Sequence, residues 1–294
     1  RRVLFRSNLA LAERLMFFAD RAERITATDD AVRSQVLGVQ TVYQTDLGSL
    51  EQAVIASEEA LAIERRAANL RGVARALRYC VVPLREQGNF DEAVFKAVES
   101  YEVAAHNRVA EDAALGADLA AAVYFDAGNL TQVKAWLNRA VPWTRRVEAE
   151  YIQTSRRVMI AMTAIEEGDL ATAKSLVDSS IEEAAKDPII RHRLFRLSLI
   201  VRLGIAERRE DAVEEALLPL VSALEHSRAF RRQTYFVYAA VRGIEHTQSR
   251  QAAEAYYRSL SDPFRDTGTR PWRELAAWLA VALGQPTTSG RAAE

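Results

Sequence analysis

Residues 126–134 read DAGNLTQVK, and the same phrase stands at 46–54 (DLGSLEQAV), 86–94 (EQGNFDEAV) and 166–174 (EEGDLATAK). Its glycines, Gly48, Gly88, Gly128 and Gly168, are spaced by 40 residues. Two positions past each glycine comes an apolar anchor (Leu50, Phe90, Leu130, Leu170), and five past it a small residue (Ala53, Ala93, Val133, Ala173). A shared period marks a stacked array, in which each unit buries its apolar face against the next and not around one centre. Apolar residues between the glycines recur at helical spacing, so each period reads as two helices joined by a tight corner.

Working outward, Thr28-Asp29-Asp30 supplies an N-cap for the first helix of repeat 1, which runs to Asp46 before Gly48 ends it. The second helix covers 50–66, with Ala53, Ala56, Ala60 and Ile63 on its dry side and Glu58, Glu59 and Glu64 on its wet one. Repeat 2 takes 70–86 and 90–105, repeat 3 takes 109–126 and 130–145, and repeat 4 takes 148–166 and 170–185. Pro83 lies inside a helix and predicts a kink near Tyr79 to Pro83, because proline removes a hydrogen bond and clashes with the preceding turn. Asp187-Pro188 gives a start signal for a helix ending near Glu207. The glycine is then lost, but the small-residue column continues at Val213 and Ala253. Fifth and sixth pairs are therefore expected, with looser corners at Arg208-Arg209-Glu210 and Gln248-Ser249-Arg250.

At the ends, residues 9–24 carry Leu11, Leu15, Phe18 and Ala22 at helical spacing and read as the orphan second helix of a half repeat. Residues 1–7 (RRVLFRS) look like the translation of a short-read sequencing adapter and are set aside as a processing scar, which makes the chain an expected fragment. Residues 261–284 hold a capping helix that starts at Pro271 and carries Trp272, Trp278 and Leu279. Residues 285–294 read as a polar, disordered tail.

The chain has 294 residues, 49% hydrophobic and 27% charged, the balance of a folded and not a disordered protein. A net charge of −1 argues against a surface that coats nucleic acid. One cysteine, Cys80, permits neither an intrachain disulfide nor a cysteine zinc cluster and fits a reducing, cytoplasmic setting. No apolar run is long enough to cross a bilayer. Cys80, His192, Trp136 and Trp143 read as packing residues. No phosphate-cradling glycine loop, nucleophile elbow or metal-ligand helix motif is present, and the paired acids Glu166-Glu167, Glu182-Glu183 and Glu214-Glu215 read as solvated. The expectation is a protein that is not an enzyme and takes no cofactor or metal.

The phrase glycine, any residue, leucine or aromatic, two residues, alanine resembles the tetratricopeptide repeat over residues 8–260, most strongly over 30–185. The period of 40 exceeds the family's usual length and is similar to the arrays of MalT-like bacterial transcriptional regulators and peptide-sensing Rap-type regulators. Ser100 and Ser180 depart from the pattern where an alanine is expected. The resemblance implies an all-α fold: a right-handed α-α superhelix of about six helix pairs, plus the half repeat and the capping helix. It also implies that the first helix of each pair lines the inner wall. Counting back from the glycines, that wall would present Gln35, Gly38, Val42 and Thr45 in repeat 1, and Arg75, Arg78, Val82 and Arg85 in repeat 2. Repeat 3 would add Leu115, Asp118, Ala122 and Phe125, and repeat 4 Ser155, Val158, Met162 and Ile165. Repeats 5 and 6 would add Phe195, Ser198 and Arg202, then Tyr235, Tyr238 and Arg242.

Two features of that wall invite a partner. Arg75, Arg78 and Arg85 share a helical face, and their forked donors suit carboxylates; the competing reading pairs them with acids on neighbouring helices. Phe125, Val158, Met162 and Ile165 form either an exposed apolar patch or plain core. A second basic stretch, Arg191, Arg193, Arg196 and Arg202, wraps around its helix and suits a ligand less well. The function expected is a non-catalytic scaffold that holds a protein or peptide, acidic and amphipathic, as the sensing region of a larger bacterial regulator. It would touch neither membrane nor nucleic acid through these residues. The alternatives are part of a MalT-like, LuxR-type DNA-binding regulator, or the regulatory arm of a cyclase or kinase.

Overall fold

In the computed structural model, residues 30–184, 190–226 and 234–260 are described. Over them the chain is helical throughout, and no strand occurs among the described residues. The first helices of the pairs are α1 (Asp30–Leu47), α3 (Leu70–Glu86), α5 (Ala110–Asp126), α7 (Glu150–Glu167), α9 (Ile190–Glu207) and α11 (Thr234–Thr247). The second helices are α2 (Leu50–Arg66), α4 (Phe90–His106), α6 (Leu130–Thr144), α8 (Leu170–Ala184), α10 (Glu210–His226) and α12 (Arg250–Ser259). The assigned ranges for 1–7, 9–24, 261–284 and 285–294 lie outside the described residues.

The corners explain the regularity. At each of seven of them, one residue turns into the left-handed region. The amide after it bonds back to the carbonyl five residues earlier, while its own amide bonds three back. At Gly128, with φ 82°, these bonds are Asn129 N–H to Tyr124 O at 2.9 Å and Gly128 N–H to Phe125 O at 2.9 Å. The other six sit at Gly48, Ala68, Gly88, Arg108, Gly168 and Arg208. The corner thus recurs about every 20 residues, twice per period, and glycine marks alternate corners over the first four repeats. Asn69 and Asn129 then cap the next helix by accepting from Gly72 N–H at 3.2 Å and Gln132 N–H at 3.1 Å.

The Arg208 corner corrects an expectation. With φ 59° and bonds from Arg209 N–H to Gly204 O and from Arg208 N–H to Ile205 O, it has the same shape as the glycine corners and is not looser. At 248–250 the geometry does differ: Ser249 is extended and its hydroxyl caps α12 by accepting from Ala252 N–H at 3.1 Å. Helix α3 runs continuously through the buried Pro83 to Glu86.

Packing is serial. Each helix lies against the next in the chain, and successive first helices come closer to one another than successive second helices do. The small-residue column Ala53, Ala93, Val133, Ala173, Val213 and Ala253 is fully buried throughout. In α5 a run of buried alanines and Gly116 brings the backbone so close to α4 that a Cβ at Gly116 would meet Tyr101 N at 2.8 Å. Ser100, the exception to the alanine pattern, is buried and donates to Ala74 O at 2.8 Å, which ties α4 to α3. Cys80 and Trp136 are buried, as expected of packing residues. No helix among the described residues is long and apolar enough to cross a membrane.

Candidate functional site

The first-helix layer carries the residues singled out in the sequence, and most of its charges face one another. Arg78 on α3 pairs with Asp112 on α5 at 2.7 Å, and Arg85 on α3 pairs with Asp126 on α5 at 2.9 Å and with Glu86 at 3.8 Å. Asp118 on α5 accepts from Arg156 on α7 at 3.1 Å, and Arg156 also donates to Leu137 O on α6. Glu166 on α7 pairs with Arg202 on α9, whose guanidinium lies 5.3 Å and 5.5 Å from the ring centres of Tyr235 and Tyr238 on α11. Apart from the Arg85 to Glu86 pair within α3 and the bond from Arg156 to Leu137 O on α6, each contact joins one first helix to the next, so the ladder runs from α3 to α11.

These groups are largely buried, and a buried ion pair resists removal of one partner by about 3–5 kcal/mol even where its net contribution is small. Burial pushes the Asp118 carboxyl up to about 6, outweighing the charge and hydrogen bond of Arg156, which is shared with a carbonyl. Arg78, Arg85, Asp118, Tyr235 and Tyr238 are therefore helix-to-helix contacts in this structure. The apolar candidates are not a surface: Phe125, Val158 and Met162 are buried in the core, and Ile165 packs partly against it. Arg196, from the second basic stretch, is buried as well.

What remains open on this layer is smaller. The Arg75 side chain is 42% exposed and stands 3.8 Å from Glu64; that of Arg71 is 73% exposed and stands 3.7 Å from Asp112. Gln35, Ser155 and half of Val42 also reach solvent. Tyr151 donates to Glu111, and burial together with that carboxylate pushes its hydroxyl up to about 12.

The sequence reading missed the acids that answer the arginines, and it misplaced two others. Glu64 is not on a wet face: it is buried, accepts from Ser34 Oγ at 2.6 Å and Asn69 Nδ2 at 2.7 Å, and joins α1, α2 and α3. Glu166 is likewise held by Arg202 and is not simply solvated. A signal for the missed acids exists, because the pairs fall 34, 41, 38 and 36 residues apart, each within six residues of one period.

Shallow depressions lie between helices. One, of about 410 Å³, lies between α10, α11 and α12 beside Leu218 and Tyr256; another, of about 380 Å³, lies between α1 and α2 beside Leu37 and Ile55. No group of three or more His, Cys, Asp or Glu side chains arranged to hold a metal is found among the described residues. Compared with known proteins, the chain matches no family model and no curated protein.

Proposed function

We propose that this chain is a non-catalytic helical-repeat scaffold of tetratricopeptide type that holds a protein or peptide, acting as the interaction region of a larger regulatory protein. The observation that carries the reading is the unequal spacing of the two layers: first helices approach each other more closely than second helices do. Such a stack bends toward its tighter layer, which supports the first helices as the inner wall; the right-handed superhelix is proposed from the resemblance to the tetratricopeptide repeat. On that wall the ladder fixes most charges, and Arg71 and Arg75 are loosely held cations within reach of a partner. Elsewhere on the same layer the half-exposed Val42 offers apolar contact, so an acidic, amphipathic segment is the partner we propose.

The test uses a fluorescein-labelled helical peptide of alternating Glu and Leu faces as probe. Arg71→Ala with Arg75→Ala weakens capture about tenfold, the scale of losing two solvent-exposed ion pairs, and leaves the far-ultraviolet circular dichroism of the array unchanged. Unaltered anisotropy curves remove the two arginines from the wall's binding function. Arg78 is unsuited to this test, because its removal strands Asp112 in the interior.

A further inference from the structure

The second-helix layer carries a feature that the ladder does not use. Seven residues past the corner the repeat column reads Ile55, Phe95, Ala135, Ser175 and Glu215, so large apolar side chains stand there in repeats 1 and 2 and not beyond. Both project into solvent: Ile55 is 67% exposed and Phe95 is 64% exposed. They share a face, since α2 and α4 lie side by side, joined by Lys96 to Glu58 at 2.6 Å and by Arg65 to Glu99 at 2.5 Å. Two exposed bulky residues thus stand at one repeat position on neighbouring second helices.

The surroundings say what covers them. Helices α2 and α4 together hold eight acids against three bases, within a chain whose net charge is −1. Glu58, Glu59 and Glu99 are answered by Lys96, Arg33 and Arg65. Glu51 and Asp91, each one turn before its apolar residue, and Glu102, two turns after Phe95, have no ion pair among the described residues and are exposed. An apolar centre rimmed by unanswered carboxylates is complementary to a helix with leucine-like residues on one face and lysine or arginine on its flanks.

We propose that the outer face of α2 and α4 is a docking surface for a basic amphipathic helix, which sets its apolar stripe on Ile55 and Phe95 and its cations on Glu51, Asp91 and Glu102. The site is on the layer opposite Arg71 and Arg75, so it stands or falls independently of the inner wall. The same surface repels nucleic acid and acidic lipid, which carry the wrong charge.

The experiment measures anisotropy of a labelled helical peptide of Leu and Lys with the full chain, against its Leu and Glu counterpart. The basic peptide binds, and Ile55→Ala with Phe95→Ala weakens it about tenfold. Replacing Glu51, Asp91 and Glu102 by Gln, Asn and Gln weakens it too and flattens the loss of binding between low and ~0.5 M salt. Arg71→Ala with Arg75→Ala leaves it unchanged. The proposal is overturned if the basic peptide does not bind, if either outer-face variant binds as the parent does, or if the acidic peptide binds equally through this face. It is also overturned if sedimentation shows self-association that Ile55→Ala with Phe95→Ala abolishes while the peptide is ignored, since a second copy would then own the face.

Discussion

Asp118 shows how a single residue of the first-helix layer answers to its surroundings. Its carboxyl lies beside Arg156, yet burial raises it from an ordinary value of 3.8 to about 6. Between those values the folded chain holds the proton and the unfolded chain has released it, so raising the pH across that window costs stability. The stability of the parent relative to Asp118→Asn therefore falls as pH rises from 4 to 6, a trend read from urea unfolding at several pH values; a flat or rising difference contradicts the assignment. That Asp118 would face its layer was legible in the sequence. That it would be held by Arg156 was not, because an arginine column reads the same whether it meets a ligand or the next helix. The choice between the two depends on an offset of about one period, and only the packing fixes it.

At the scale of the element, the corner decides how much of the fold can be read. The glycines of the four corners revealed the 40-residue period, and the helix bounds they imply agree closely with those observed. The 20-residue half-period stayed hidden because Ala68 and Arg108 make the same corner without glycine, accepting a left-handed backbone at a cost of roughly 1–2 kcal/mol each. Their energetics predict opposite signs for two substitutions. Gly168 has φ 78° and nothing within 4 Å of an added Cβ, so Gly168→Ala pays the backbone strain alone and destabilises by about 1 kcal/mol. Arg108→Gly, at φ 56°, relieves strain but frees the unfolded chain, for a net gain of about 0.5 kcal/mol. Thermal unfolding of the two variants that moves both midpoints in the same direction would contradict this account of the corners.

For the whole molecule, the account rests on serial packing: helix follows helix, and the charge ladder links each first helix to the next without a common centre. Stability in such a stack is local, the sum of unit and neighbour terms. Neighbour contact was legible from the period alone, whereas the pairing was not: Asp126 and Glu166 stand in the acidic column Asp46, Glu86, Asp126 and Glu166 that opens each phrase, but their partners Arg85 and Arg202 sit at different positions of the repeat. The most direct measurement is native-state hydrogen exchange of Arg78→Ala against the parent, followed helix by helix. Loss of the Arg78 to Asp112 pair lowers protection in α3 and α5 and in their neighbours α4 and α6, and leaves α9 to α12 as they were. An equal loss of protection in every helix would instead reveal one shared core and contradict the stacked array.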